Sequence, residues 1–312
     1  MIDLIPDEEQ QALLDSFRDL LAAESPVTSG ALADVWDEIV PLGWLGLLRP
    51  ETLGGAGLGP VELVLLMRES GRFLATPTML ATIAAIALLD VDGQSDAAGA
   101  LADGVDRAAL AFPRVAGEVY LVDAERAEFA LLVADGAASV HRIAGERKSL
   151  VSVDERVTLT AASLSAPLTG RSDALSVRLM VAAQLVGVAE AVRDMAIEQA
   201  KLRQQFGQAI GSFQAIKHAC ADLAIRAESA GAQTAYAALA VANRLAGAET
   251  EVAAAVRIAQ RAALANAEAS IQIHGAMGTT DECQAHLFLK RANMLSLLDG
   301  RANWQMEALL GA

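Results

Sequence analysis

Residues Arg203-Gln-Gln-Phe-Gly-Gln-Ala-Ile-Gly-Ser-Phe-Gln-Ala-Ile-Lys217 break an otherwise helical region with a glycine pair set among polar and aromatic side chains. Arg203 offers a planar, permanently charged fork, the geometry that suits a diphosphate better than a lysine does. Gln205, Phe206 and Gln214 add amides and a ring to the same stretch. Taken singly, the arginine reads as a solvated helix residue, the phenylalanine as core and the glutamines as surface amides. Further along, Ile271-Gln-Ile-His-Gly-Ala-Met-Gly278 sets Gln272 and His274 ahead of Gly275, Ala276 and Gly278. Glycines so placed let backbone amides approach an anion, and they also make an ordinary helix C-cap. Asp299, followed by Gly300, is a carboxylate suited to proton abstraction or, equally, to ending a helix at the surface. Cys220 and Cys283 show no metal-ligand spacing and no disulfide framework, so no metal site is expected.

The elements that must hold these groups fall into three blocks. In residues 1–103 apolar positions recur at helical spacing, as in Leu13, Leu14, Phe17, Leu20 and Leu21, with Asp7, Glu8 and Glu9 opening the first turn. This block reads as a helical domain. Its irregular passage, 41–59, contains Pro50 and the glycines at 54, 55, 57 and 59, which by themselves mark only a loop between helices. Residues 104–173 change to short runs of Val, Leu, Ala and Thr, predicting strands at 108–112, 118–122, 129–133, 139–143 and 157–159 and hence a small β domain. Residues 174–312 return to helical spacing, with small residues on closely spaced faces and a hairpin at Ala246-Gly-Ala-Glu-Thr250, which predicts a four-helix bundle. The fold class is α+β.

Composition sets the outer limits. The 312 residues are 54% hydrophobic, enough for two or three domains with a sizeable interior. The net charge of -15 argues against nucleic-acid or anionic-membrane partners, and any phosphorylated ligand would need a local basic patch. The N-terminus has no signal-peptide pattern and no apolar run approaches an uninterrupted membrane span, so a reducing cytoplasm is the expected location.

Together the two motifs, the segment Asp281–Ala292 and the Gly43-Trp44 turn with its later Pro-Glu and Gly-Gly-x-Gly loop resemble the acyl-CoA dehydrogenase family. The resemblance implies helical, β and helical domains in that order, and an FAD cofactor. It further implies that Arg203, Gln205, Phe206, Gln214, Gln272, His274, Gly275, Ala276 and Gly278 hold the FAD of a neighbouring subunit. Ala276 stands where the family usually has glycine, a small change if φ there is negative. The middle domain departs further: the family's Thr-Glu-Pro and Gly-Ser-Asp are missing, Pro113 and Pro167 stand in other contexts, and only Arg171-Ser-Asp173 follows the strands. The family's catalytic glutamate aligns with Asp299, one methylene shorter, the following Thr-Ser with Arg301 and Ala302, and a second base position used by some members with Val177.

The chain thus keeps the groups that are lent and lacks those used at home. The resemblance implies a heteromer in which a second acyl-CoA dehydrogenase subunit supplies the flavin ring's site and the working glutamate. It is similar to the shortened subunits of actinobacterial α2β2 enzymes acting on steroid side chains, with an acyl-CoA substrate and an electron-transfer flavoprotein as acceptor. Two alternatives stay open: a self-sufficient homo-oligomer using Asp299 as base, and a catalytically silent helical interaction subunit.

Overall fold

A computed structural model describes residues 6–24, 36–114, 117–134, 136–170 and 172–298. The N-terminal part is built from α1 (Glu8–Glu24), the short α2 (Trp36–Ile39), α3 (Pro60–Arg72), α4 (Pro77–Val91) and α5 (Ser95–Ala102). Between α2 and α3 the passage 41–59 is a rigid loop with two 3-10 turns, in which Gly55 lies so close to Arg49 that a Cβ would stand 2.1 Å from its carbonyl oxygen.

Strands β1 (Ala108–Pro113), β2 (Glu118–Val122), β3 (Phe129–Ala134), β4 (Ala137–Leu150), β5 (Leu159–Pro167) and β6 (Ser172–Asp173) form one sheet in the order β3-β1-β2-β5-β4-β6. Because β3 also pairs with β4, the first five strands close into a barrel. Its narrow interior is filled by small residues such as Ala109, Ala111, Ala130 and Ala162 with Val119 and Leu121, while Leu110, Phe129, Leu131 and Val140 face the helices and join the main core. β4 runs well beyond the expected 139–143, and β5 starts where the expected 157–159 ends. The second half of β4 is largely exposed and breaks register around Gly145, whose φ is +70°, so it carries no alternating apolar signal for a sequence reading to find.

The C-terminal part contains α6 (Leu175–Leu202), a two-residue hairpin of β7 (Gln204–Gln205) and β8 (Gln208–Ala209), α7 (Gln214–Ala242), α8 (Ala248–His274) and α9 (Ala285–Ser296). α6 is long and apolar enough to cross a membrane, but 83% of its most apolar window is buried by its neighbours. It crosses α3 at a glycine pair: a Cβ on Gly71 would stand 2.0 Å from the Gln184 carbonyl oxygen, and one on Gly187 1.9 Å from that of Arg68. Around this contact Gln184 donates to Ser70 Oγ at 3.0 Å, and the buried Glu190 accepts from both Arg68 and Arg72. Arg72 also reaches Asp194 at 2.8 Å; burial pushes that carboxyl up, but the hydrogen bonds from Arg193 and Arg72 outweigh it and hold it below the ordinary range. Such a network adds little net stability but sets one register between the N-terminal helices and α6.

Candidate functional site

The Arg203 stretch leaves α6 with Arg203 as its last cap, turns through the hairpin and enters α7 after Phe213. The turn residues Phe206 and Gly207 have φ of +52° and +78°, as a type I′ turn requires. Glycine adopts this freely; for phenylalanine it costs about 1 kcal/mol or more. The Phe206 ring is 91% exposed and meets Phe213 edge-on at 6.2 Å between centroids. Strain combined with exposure has no folding benefit, and such outliers gather at functional sites. Gly211, read from sequence only as a helix breaker, sits against α6: a Cβ there would lie 2.8 Å from the Ala200 carbonyl oxygen.

The second motif ends α8 at the same end of the bundle. Ile210 of the first motif packs against the small cluster of Ala196, Leu223 and Ile273, and Ile273 lies between Gln272 and His274. Gly275 caps α8 with φ +67° and ψ −141°, a conformation open essentially to glycine alone. A Cβ on Gly278 would stand 2.4 Å from the Ile271 carbonyl oxygen, so this glycine is required by close approach. Ala276 is not among the described non-glycine residues with positive φ, which meets the condition for alanine at that position.

Among the described residues, no group pairs with the side chains of Arg203, Gln205, Gln214 or Gln272, and all four are exposed. His274 Nδ1 donates to the Ser270 carbonyl oxygen at 2.7 Å, which leaves Nε2 as the ring nitrogen with no partner among the described residues. α7 begins without a side-chain cap, leaving its first amides open, and Lys217 adds a second exposed cation in an acidic chain. The donor set of one guanidinium, three amides, free helix amides and an acceptor nitrogen fits a diphosphate linked to hydroxylated and heterocyclic groups, as in a dinucleotide such as FAD.

The opposite end of α6 differs. Val177, at the second base position, is buried and lines a void of about 10 Å³ together with Val133, Val181, Val256, Arg178 and Leu298. That volume holds about one water, against the several hundred Å³ of an organic ligand site. Asp299 follows Leu298 directly and, with Arg301 and Ala302, lies outside the described residues. A larger groove of about 470 Å³, lined by Ser149, Thr158, Thr160 and Arg147 among others, opens at the ends of β4 and β5 and includes no residue of either motif. Among the described residues no group of His, Cys, Asp and Glu is arranged to hold a metal ion.

Comparison with known proteins places the chain. The acyl-CoA dehydrogenase C-terminal domain matches residues 174–311 and the acyl-CoA dehydrogenase N-terminal domain residues 7–94. Acyl-CoA dehydrogenase IpdE2 of Mycobacterium tuberculosis is 32% identical over 307 residues, covering 93% of this chain and 92% of that protein. Acyl-CoA dehydrogenase FadE34 of the same organism is 35% identical over 300 residues, covering 87% of this chain, which spans only 42% of FadE34. A solved structure of the ChsE4-ChsE5 complex from Mycobacterium tuberculosis superposes with a TM-score of 0.82 over 99% of this chain and 98% of that one, at 21% identity, a likeness of fold.

Proposed function

The chain belongs to the acyl-CoA dehydrogenase family of oxidoreductases acting on CH-CH groups, and from that premise we propose that it works as the FAD-lending subunit of a heteromeric dehydrogenase. The pair forms an α,β double bond in a CoA thioester, of the steroid side-chain class, in the cytoplasm, and passes its electrons to an electron-transfer flavoprotein. One observation carries the reading. Arg203, Gln205, Gln214 and Gln272 are exposed and have no partner among the described residues, while Val177 and Leu298, the second base position and the neighbour of Asp299, border a void too small for an acyl chain.

FAD, when bound, supplies the acceptor for a hydride leaving the substrate's β carbon. This chain's own share is to bind and orient. Arg203 neutralises diphosphate charge, Gln205, Gln214 and Gln272 donate or accept at fixed directions, Phe206 offers a ring face, and His274 Nε2 accepts from a hydroxyl or amino group. Gly275, exposed and with open space where a Cβ would stand, lets a ligand approach the backbone without side-chain obstruction. The void of about 10 Å³ beside Val177 has no room for a thioester, which leaves proton abstraction to a carboxylate of the partner.

The test is to express the chain alone and together with a second, glutamate-bearing acyl-CoA dehydrogenase chain, and to read flavin per protein by visible absorbance with mass in solution. About one flavin per pair of unlike chains, and none on the lone chain, is the expected result. Stoichiometric flavin on the lone chain would overturn it in favour of a homo-oligomer working through Asp299. A pair that assembles without flavin would leave a helical interaction subunit.

A further inference from the structure

The three helix ends that carry the patch belong to α6, α7 and α8, and one buried side chain joins all three. Asn266 of α8 is fully buried. Its Nδ2 donates to the Ala189 carbonyl oxygen of α6 at 3.1 Å and to the Leu223 carbonyl oxygen of α7 at 3.0 Å. Its Oδ1 accepts from Arg226 Nη1 of α7 at 3.1 Å, which leaves the amide only one orientation: turned over, it would set its oxygen against two carbonyls. Carbonyls in mid-helix have a second lone pair for such a bond, so neither helix ladder is broken.

Closer to the patch the same three helices meet again, through Ala196, Leu223 and Ile273, and Ile210 of the hairpin rests on that cluster. Leu223 takes part in both contacts, by its carbonyl in the first and by its side chain in the second. The faces packed here are rich in alanine, as at Ala189, Ala227, Ala263 and Ala267. Small side chains interdigitate weakly and leave two helices free to slide, whereas a buried amide with directional bonds admits one register, the role a single buried asparagine plays in coiled coils. From Asn266 the end of α8 is eight residues away, about 12 Å at 1.5 Å per residue.

We infer that Asn266 is a positioning residue for the cofactor-facing patch: it sets the relative heights of α6, α7 and α8, and with them the spacing of Arg203, Gln214 and Gln272. The inference rests on the patch being the flavin-facing surface proposed above.

Asn266→Asp tests it, because the aspartate keeps the size and the Arg226 contact but loses both donors. Gln184→Leu, which removes the buried bond between α6 and α3, serves as a control for general loss of stability. Amide hydrogen exchange is read on the lone chain, and FAD affinity on the chain assembled with its partner. Asn266→Asp is expected to speed exchange selectively in residues 196–203, 214–220 and 270–278 and to raise the FAD Kd about tenfold, as misplacement of a binding group does, while the control leaves both unchanged. Even loosening of the whole bundle, or the same Kd change in the control, overturns the positioning role. Should the aspartate variant not fold, Arg226→Met, which frees the amide's orientation, is expected to quicken exchange at the same three ends, and no local change there overturns the inference. Exchange is read without flavin, so it decides the role by itself; a wild-type pair that never takes up flavin sinks the cofactor reading instead.

Discussion

α6 ends in two places about 40 Å apart that share one helix and little else. At its C-terminal end the chain leaves a guanidinium and amides exposed with no partner among the described residues, beside the exposed ring of Phe206. At its N-terminal end the same helix presents Val177, Arg178 and Val181 to a void of only about 10 Å³. Among the described residues, then, the polar side chains of the two motifs lie at one end of α6 and buried valines at the other, the contrast on which the proposed reading rests.

The contrast can be broken most sharply at the buried end. Val177→Glu puts a carboxylate into a void of about 10 Å³ that holds about one water and is lined by four apolar side chains and Arg178. Loss of about 3–5 kcal/mol in denaturant unfolding is expected, with no gain of dehydrogenase activity. Activity in a folded variant would mean that the void opens. At the exposed end, Arg203→Ala should leave the melting temperature of the lone chain within about 1 °C, since no described group pairs with its guanidinium. It should weaken FAD binding by the assembled pair roughly 10- to 100-fold, the worth of about 1.5–3 kcal/mol for a charged hydrogen bond. An unchanged FAD titration would remove the arginine from the site.

Phe206→Asn separates folding from function at one position. Asparagine before Gly207 is a preferred type I′ pair, so the lone chain should gain up to about 1 kcal/mol while the pair holds flavin less tightly. A variant that is both more stable and fully flavin-binding would reduce Phe206 to an accident of the turn. The smallest effect concerns Asp123, which follows β2 and meets the start of α4. Its carboxylate accepts from Thr76 Oγ1 at 2.9 Å and from the Thr158 amide at 2.8 Å, with Arg291 and Asp154 as its charged neighbours, and burial pushes its pKa up. A raised carboxyl contributes stability that is full below the unfolded value of about 4 and is lost as pH rises through the folded value. Asp123→Asn should therefore gain on the wild type in melting temperature between pH 4 and pH 7; a pH-independent difference would show that the carboxyl stays ionised throughout.

The parts that were legible from sequence are those where composition and local geometry coincide. Pro50 with its glycines marked the loop before α3, Gly247 marked the α7–α8 turn, and the alanine-rich periodicity marked the long helices. The second half of β4 was not legible because its residues are exposed and irregular, so period-two alternation is absent. Gly71 and Gly187 were equally silent. Each is an ordinary helical glycine until the partner backbone 2 Å from its missing Cβ is seen. Asn266 likewise looks like a polar residue in an amphipathic helix, and only its three partners on two other helices distinguish it.

Sequence alone determined which groups this protein has at hand: a guanidinium, amides and a ring around a glycine turn, a second glycine motif, and a valine at 177. These follow from residue identity and short spacing, which act locally. Tertiary structure decided which of them are exposed together and which are sealed away. It brought Ile210 and Ile273 onto one cluster, tied His274 Nδ1 to the Ser270 carbonyl and left only about 10 Å³ beside Val177. Exposure and juxtaposition depend on how distant helices cross, and those crossings rest on close backbone approach and single buried bonds that no local pattern encodes.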